Sequence, residues 1–408
     1  MQFRPYQETI IVEGTKRLSR LRIIMLAMEV RTGKTLTSLG IANGMDISSV
    51  LFITKKKAIS SIEADYNLLD PSYTLKVTNY ESVHKVSAND YDLIIVDESH
   101  SMGAFPKASV RTKRIKEIVG KKYCILLSGT PTPESWSQIF HQFWISEFTP
   151  FVEKSFYKWA KVYVNVTQRK INGYDVNDYS GANENLIRQK ISKHIISFSQ
   201  SEAGFTSKVN EHILHVEMNP TTYKLVKTIE KDLVYEGKNG GVILADTPIK
   251  LMQKVHQLYS GTVKLEDGSA ATIDNSKGVF IKKKFQGKKI GIFYKFKEEL
   301  KLLQSVFGEQ LTTDLEEFNT TNKNIALQIV SGREGISLSK ADYLVYFNID
   351  FSATSYWQSR DRLTTKERQT NDVYWIFSKG GLEDKIYRQV QDKKSFTTKH
   401  YERVSKNN

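Results

Sequence analysis

The sequence predicts an α/β protein built from two parallel-sheet lobes in tandem. Its 408 residues are enough for two or three domains at roughly 150 residues each. Hydrophobic residues make up 40% and charged residues 25%, which indicates buried cores and excludes wholesale disorder. Short β-branched segments also alternate with amphipathic segments, the pattern of a parallel sheet covered by helices on both faces.

In the first half of the chain, short apolar segments predict strands and the segments between them show helical spacing. The predicted strands are residues 23–27, 50–54, 93–96 and 124–127. The predicted helices are residues 6–18, 35–43, 59–68, 110–119 and 136–144.

The same alternation resumes in the second half and predicts a second lobe. Weakly periodic segments near residues 148–200 and 258–289 are predicted to be small helical insertions. The expected domains are therefore residues 1–217 and 218–408. The predicted strands of the second lobe are 290–293, 325–330, 343–347 and 373–377, with helices near 296–306 and 354–361.

Charge and cysteine content restrict the function classes. With 59 Lys and Arg against 45 Asp and Glu, the net charge is +14, which favours polyanions such as nucleic acid or an anionic membrane face. The single cysteine, Cys124, excludes an intramolecular disulfide and fits a reducing compartment. Because no apolar segment is long enough to span a bilayer and the N-terminus has no signal-peptide pattern, we expect a cytoplasmic protein without a membrane partner.

The segment after the first predicted strand resembles a phosphate-binding loop. It ends in Gly33, Lys34 and Thr35, preceded by Arg31 and Thr32. Backbone N–H groups at the start of the following helix favour phosphate, the lysine would neutralise the β- and γ-oxygens, and the threonine hydroxyl would ligate Mg²⁺. The triplet alone is weak support, but strand, loop and helix occur in the required order.

A later predicted strand ends in Asp97 and Glu98. The carboxyl ends of parallel strands form a ligand crevice, where the first carboxylate would hold Mg²⁺ and the second would orient and deprotonate the attacking water. Two acidic residues after a strand belong more often to a solvated loop than to a catalytic site. With the phosphate-binding loop upstream, the catalytic interpretation becomes the favoured one. The next strand ends in residues 128–131, SGTP, which also suit a plain turn.

Read in order, these motifs resemble the motor of superfamily-two helicases. The second half resembles the Swi/Snf-type ATPases (DEAD/DEAH-box-like) in particular, and the short chain resembles minimal bacteriophage or viral members. The segments that carry the resemblance are RPYQ (4–7), LAMEVRTGKT (26–35), LFITKKK (51–57), VTNYESV (77–83), DESH (97–100), SGTP (128–131), IGIFYKF (290–296), SGREGISLSKADYLVYFN (331–348), YWQSRDR (356–362) and GGLEDKIYRQVQDKK (380–394).

The resemblance implies two RecA-like lobes that bind ATP and Mg²⁺ between them. It implies that Gln7 and Tyr6 contact adenine. It also implies that His100, Ser128 and Thr130 couple the nucleotide site to the nucleic-acid surface.

In the second lobe, the resemblance implies that Gly335 lets the backbone approach the phosphates and that Gln358 belongs to the nucleotide site. An arginine finger is also expected. We favour Arg362, with Arg360 second, because the other expected position is occupied by Thr365. The nucleic-acid contacts implied in both lobes are Lys55, Lys56, Asn79, Tyr80 and Ser331.

Three functions remain open at this point. The first is an ATP-hydrolysing translocase that moves on duplex DNA and remodels DNA structures or DNA–protein complexes. The second is a strand-separating helicase on DNA or RNA, which an aromatic or β-hairpin wedge would distinguish, although the sequence reveals none. The third is a nucleotide-gated DNA clamp with little turnover, favoured by the irregular arginine segment and by Arg31, which stands where the family usually has glycine.

Overall fold

The structure, a computed structural model, describes residues 2–171, 174–205, 208–237, 240–332, 336–363 and 370–392. The chain divides into two compact units, Met1–Phe205 and Thr206–Asn408. This division lies before the boundary expected after residue 217, because the strand Lys208–Val216 pairs within the second sheet. In the described ranges, no helix combines the length and apolar character needed to cross a membrane.

The first unit contains a six-stranded sheet in which every pairing is parallel. The strands of the first unit, including two outside this sheet, are β1 (Ile23–Met28), β2 (Ser49–Thr54), β3 (Thr74–Asn79), β4 (Leu93–Val96), β5 (Tyr123–Leu127), β6 (Thr167–Ile171), β7 (Tyr174–Asp178) and β8 (Ile195–Phe198). The sheet order is β3-β2-β4-β5-β1-β8, and β6 and β7 form a separate antiparallel hairpin.

Helices cover both faces of the first sheet because its strands are apolar on both sides. Along β1, Ile23 and Met25 belong to one buried cluster, and Ile24 and Leu26 belong to the other. This is the period of two expected of a strand buried on both faces. The helices are α1 (Pro5–Leu21), α2 (Lys34–Asn43), α3 (Ile59–Leu69), α4 (Val110–Val119), α5 (Ile139–Trp144), α6 (Phe156–Tyr163) and α7 (Glu184–Ile191).

The second unit repeats this architecture with a second six-stranded parallel sheet. The strands of the second unit, including four outside this sheet, are β9 (Lys208–Val216), β10 (Val234–Glu236), β11 (Val242–Leu244), β12 (Thr262–Lys264), β13 (Ala270–Thr272), β14 (Ile290–Tyr294), β15 (Leu311–Thr312), β16 (Asn324–Gln328), β17 (Tyr343–Tyr346) and β18 (Thr370–Ser378). The main sheet has the order β15-β16-β14-β17-β18-β9, and β10-β11 and β12-β13 are hairpins.

Helices also cover this second sheet, and two hydrophobic clusters share its strands. On β18, Trp375 lies in one cluster and Ile376 in the other. The helices are α8 (Pro220–Asp232), α9 (Pro248–Tyr259), α10 (Ser276–Lys284), α11 (Lys297–Phe307), α12 (Leu315–Thr320), α13 (Ile329–Gly332), α14 (Ala353–Ser359) and α15 (Glu383–Gln391).

The predicted fold class, α/β with two RecA-like parallel-sheet lobes in tandem, is confirmed by these two sheets. Three details differ from the sequence prediction. The predicted strand 325–330 ends at Gln328, and Ile329 begins a short helix, because a short apolar run fits either element. Both predicted insertions contain a β-hairpin as well as helices. The segment 148–200 also includes β8, which pairs with β1 in the main sheet.

Candidate active site

The predicted motifs of the first unit meet at the carboxyl edge of its sheet. Strand β5 lies between β1 and β4, with Leu26 opposite Leu127 and Val96 opposite Leu126. The residues that follow these strands therefore emerge side by side, where parallel sheets bind their ligands. The phosphate loop, the acidic pair and the SGTP turn thus share one edge.

The phosphate loop connects β1 to α2 and is held by its own backbone. Thr32 is buried, and its hydroxyl donates a hydrogen bond of 2.7 Å to the Glu29 carbonyl. Gly33 has φ 76° and Arg31 has φ 66°, both in the left-handed region. For a non-glycine residue this conformation costs about 1–3 kcal/mol. Arg31 therefore keeps the backbone turn that a glycine would adopt without strain.

Helix α1 supports this loop from one side. The Gln7 amide Nε2 donates to the Gly33 carbonyl at 3.3 Å and to the Thr37 hydroxyl at 3.2 Å. The Tyr6 hydroxyl donates to the Thr32 carbonyl at 3.1 Å. A Cβ at Gly33 would lie 2.6 Å from Gln7 Nε2, so a side chain there would displace the Gln7 amide from these hydrogen bonds. Gln7 and Tyr6 lie against the phosphate loop, and their contact with adenine stays a prediction.

The segment after β8 also supports the loop, and sequence reasoning missed it. The Gln200 backbone N–H donates to Glu29 Oε2 at 2.7 Å, and its side-chain Nε2 donates to the Val30 carbonyl at 2.9 Å. The ring of Phe198 stacks on Tyr6 with 4.6 Å between centroids. The one available signal was the apolar run of β8, because these contacts join residues about 170 positions apart.

Lys34 and Thr35 lie in the first turn of α2 and are half-buried. Within the part of the chain that the structure describes, neither side chain makes a hydrogen bond or an ion pair. Helix α2 also begins without a side-chain cap, so its first N–H groups have no such partner. An ammonium group, a hydroxyl group and a helix N-terminus therefore lie together in the first turn of α2, and all three are groups that bind phosphate.

Asp97 is buried at the end of β4, and one of its oxygens lacks a partner. Oδ2 accepts a hydrogen bond of 2.9 Å from the Thr54 hydroxyl, whereas Oδ1 is buried without a hydrogen-bond partner among the described residues. Burial and then the charge of Glu98 raise the pKa of Asp97 to about 6, although Lys34 opposes the shift. Mg²⁺ prefers oxygen ligands. The unpartnered Asp97 oxygen and the Thr35 hydroxyl therefore fit the expected Mg²⁺.

Glu98 connects the acidic pair to the SGTP turn. Its Oε2 lies 3.3 Å from His100 Nδ1, which in turn lies 3.1 Å from the Ser128 hydroxyl. The Thr130 N–H donates to the same hydroxyl at 3.2 Å. The structure thus brings Glu98 and the three expected coupling residues into one chain of polar contacts, and their coupling role stays a prediction.

The expected nucleic-acid contacts of the first unit follow two neighbouring strands. Lys55 and Lys56 follow β2, and Lys56 is exposed. Asn79 ends β3, and its Oδ1 accepts a 2.8 Å hydrogen bond from the Ser82 N–H. Tyr80 is placed differently, because its side chain is 3% exposed and its hydroxyl donates to the backbone carbonyl of Asp97.

Both candidate arginine fingers have partners inside the second unit. Arg362 is 7% exposed, and its Nη1 donates to the Ile336 carbonyl at 3.2 Å. Arg360 lies 2.7 Å from Glu211 Oε1, and its guanidinium is 4.0 Å from the ring centre of Trp357.

Sequence reasoning also missed Glu211, which lies on β9. Besides the pair with Arg360, its carboxylate accepts hydrogen bonds from Tyr356, Trp375 and Tyr387 at 2.6–2.9 Å.

Three expected site residues of the second unit cannot be placed. Gly335 lies outside the described residues, and so do the side chains of Ser331 and Gln358. Their predicted roles remain predictions.

The solved structures that this chain resembles include two from Sulfolobus solfataricus. Its SWI2/SNF2 ATPase core in complex with dsDNA aligns at a TM-score of 0.42 and 15% identity, covering 96% of this chain and 91% of that chain. Its SWI2/SNF2 ATPase core domain aligns at a TM-score of 0.41 and 16% identity, covering 96% and 88%. No protein-family model matches the chain, and no curated protein matches it. The predicted bacteriophage or viral affinity stays a prediction.

Proposed function

We propose that this protein is an ATP-hydrolysing motor that moves on duplex DNA and remodels DNA structures or DNA–protein complexes. The observation that carries the proposal is the incomplete polar set at the carboxyl edge of the first sheet. Lys34 has no ion-pair partner among the described residues, and Asp97 beside Glu98 has a buried oxygen without a donor. A magnesium-bound triphosphate would satisfy both groups.

The residues of this edge divide the work of hydrolysis. Lys34 and the first N–H groups of α2 bind phosphate oxygens, while Thr35 and Asp97 hold the metal. The bound Mg²⁺ supplies charge neutralisation at the phosphates. Glu98 orients the attacking water and accepts its proton, and the His100 ring beside it fixes the direction of the carboxylate.

An arginine of the second unit completes this proposal. We favour Arg362, with Arg360 second, as the cation that stabilises the charge of the transition state. Each guanidinium now has a partner in its own unit, Ile336 and Glu211 respectively. Catalysis requires one arginine to exchange that partner for a phosphate oxygen.

Duplex DNA is the proposed substrate for movement, and both the charge of the chain and the placement of two lysines support nucleic-acid binding. The chain carries a net charge of +14, and phosphate neutralisation gives affinity without sequence preference. Lys55 and Lys56 follow β2, which pairs directly with the strand that ends in Asp97. A DNA backbone bound at these lysines would lie one strand away from the catalytic carboxylates.

One observation favours the second candidate, a strand-separating helicase. Strands β6 and β7 form an antiparallel hairpin in the first unit, and Thr167, Lys170 and Val176 on it are exposed. An exposed hairpin could serve as the wedge that strand separation requires.

An ATPase assay tests the proposal and separates it from both alternatives. Phosphate release is measured for the protein alone and with blunt duplex DNA, single-stranded DNA or RNA, with the Glu98→Gln variant as a control for contaminating ATPase. We expect duplex DNA to stimulate most. Stronger stimulation by single strands would favour the helicase, and tight DNA binding without stimulation would favour the clamp. No release under any condition would contradict the proposed enzyme.

A further inference from the structure

Tyr80 connects the surface of the first unit to its catalytic carboxylates. It follows β3 and is almost fully buried, and its hydroxyl donates a hydrogen bond to the backbone carbonyl of Asp97. The neighbouring strand contributes Thr54, whose hydroxyl holds the Asp97 side chain at 2.9 Å.

The carbonyl that Tyr80 binds belongs to the peptide group between Asp97 and Glu98. The orientation of this peptide determines φ of Glu98, which is 48°. Residues other than glycine rarely adopt this left-handed conformation unless the surrounding structure holds them there. The hydrogen bond from Tyr80 therefore helps to hold the backbone orientation that aims the Glu98 carboxylate.

The other side of Tyr80 lies in a turn at the protein surface. Within this turn, the Ser82 N–H donates to Asn79 Oδ1 at 2.8 Å. The Arg111 guanidinium lies 5.3 Å from the ring centre of Tyr80 and 3.9 Å from the exposed Glu81 carboxylate. Exposed ion pairs of this length contribute little to stability. A nucleic-acid phosphate can therefore compete with Glu81 for Arg111.

We propose that Arg111 binds a nucleic-acid phosphate and that Tyr80 is the positioning residue that transmits this binding to the Asp97–Glu98 peptide. When the phosphate replaces Glu81, Arg111 shifts over the Tyr80 ring. The Tyr80 ring moves in response, and its hydroxyl moves with it. Through the hydrogen bond to the Asp97 carbonyl, this movement reorients the Asp97–Glu98 peptide and therefore the Glu98 carboxylate. This inference rests on the proposed function and adds a specific route by which DNA stimulates hydrolysis.

The test removes only the hydroxyl, in Tyr80→Phe, and compares it with Tyr73→Phe. Tyr73 is a matched control because it is 2% exposed and its hydroxyl donates to the Leu39 carbonyl at 3.1 Å. The ratio of kcat with and without duplex DNA is measured, together with KM for ATP and the DNA Kd. In Tyr80→Phe we expect the ratio to fall by about two- to tenfold, the range that one hydrogen bond supports. Tyr73→Phe should keep the wild-type ratio.

A second variant tests the surface end of the route. Arg111→Gln should also lower the stimulation ratio, and the slope of log Kd against log salt for duplex DNA should fall by about one phosphate contact. In Tyr80→Phe the same slope should not change, because the hydroxyl is buried.

Several outcomes would overturn the inference. An unchanged ratio in Tyr80→Phe, or an equal loss in Tyr73→Phe, would leave Tyr80 with a packing role only. A DNA Kd raised by more than about tenfold in Tyr80→Phe would make the residue a direct contact instead.

A different result would mark failure of the proposed function itself. If wild-type protein hydrolyses no ATP with any nucleic acid, hydrogen exchange at residues 97–102 decides the inference separately. Duplex DNA should then slow exchange in wild type and not in Tyr80→Phe. Unchanged exchange in wild type would overturn the inference as well.

Discussion

The carboxyl edges of the two parallel sheets carry the same residue types and use them differently. In the first unit, Lys34 has no ion-pair partner within the described ranges, and Asp97 keeps one buried oxygen unpartnered. In the second unit, Lys295 follows β14 and lies 3.1 Å from Asp350, with the ring centre of Phe351 3.4 Å from its ammonium. At the first edge the lysine has no ion-pair partner and an aspartate oxygen has no hydrogen-bond donor, whereas at the second edge the lysine and the aspartate pair with each other.

The pKa values of the two aspartates record this difference. Burial would raise the pKa of Asp350, but the Lys295 charge and the hydrogen bonds to Asp350 outweigh burial, so its pKa is lowered. The bonds come from the Ser355 hydroxyl at 2.7 Å and the Phe351 N–H at 2.8 Å. At Asp97, burial prevails and the pKa is raised to about 6. A buried carboxylate with a raised pKa gains the most from an added cation, which supports the ligand site proposed in the first unit.

The largest expected effect is on Glu98. Changing Glu98→Gln removes the group that accepts the proton from water, so kcat should fall by about 10²- to 10⁴-fold. ATP and DNA binding should remain, because Lys34, Thr35 and Asp97 are untouched. Phosphate release and equilibrium binding measure the two parts. Full turnover in the variant would remove Glu98 from its assigned role.

Substitution of Lys295 and of Lys34 should affect stability to different extents, because Lys295 holds an ion pair and Lys34 is proposed to bind the ligand. Changing Lys295→Ala leaves the buried Asp350 unpaired, so the free energy of unfolding should fall by about 3–5 kcal/mol. Changing Lys34→Ala breaks no ion pair of the described residues and removes only the longer-range attraction between Lys34 and Asp97, so the free energy of unfolding should fall by about 1 kcal/mol or less. Urea unfolding measures both. Equal losses in the two variants would mean that the edges do not differ as described.

The arginine segment tests what the second unit contributes to catalysis. If Arg362 or Arg360 is the finger, the corresponding change to Ala should lower kcat at saturating ATP by at least about tenfold. Glu211→Gln serves as a control for Arg360, because it removes the ion-pair partner and keeps the guanidinium. If neither alanine variant loses this much turnover, both assignments are wrong.

The smallest expected effect is the pH dependence caused by Asp97. Its pKa in the folded protein, about 6, lies above the ordinary aspartate value of 3.8, so the folded state binds more protons than the unfolded state between these pH values. Asp97 therefore reduces stability as pH rises from about 4 to about 6, and Asp97→Asn should stabilise metal-free protein at pH 7 by on the order of 1 kcal/mol. Unfolding in EDTA at several pH values measures this difference. If the difference in unfolding free energy between Asp97→Asn and wild type does not change with pH, the raised pKa of Asp97 is contradicted.

Local sequence patterns were sufficient to predict which motifs meet at the carboxyl edge of the first sheet, and their catalytic role stays a prediction. Lys34 follows a strand within one loop, and Asp97 directly ends another strand, so short segments contain the required information. The parallel pairing of their strands then brings the segments together. The same reasoning predicted both sheets, because buried parallel strands are continuous apolar runs.

Long-range contacts explain what the sequence did not reveal. Gln200 binds Val30, and Glu211 binds Arg360, across 170 and 149 positions of the chain. No spacing rule connects such pairs. The burial of Tyr80 was missed for the same reason. The resemblance implied a nucleic-acid contact, whereas the Tyr80 hydroxyl donates to the carbonyl of Asp97, which follows the next strand but one in the sheet.

Equilibrium binding of ATP tests the central claim most directly. Isothermal titration of ATP into wild type and Lys34→Ala, with and without Mg²⁺, measures whether the incomplete edge of the first sheet is the nucleotide site. We expect wild type to bind ATP more tightly with Mg²⁺ than without it. In Lys34→Ala the affinity should fall by about 10- to 100-fold, as expected for a lost charged hydrogen bond. Equal affinity in the two proteins, or affinity that does not depend on Mg²⁺, would contradict the account.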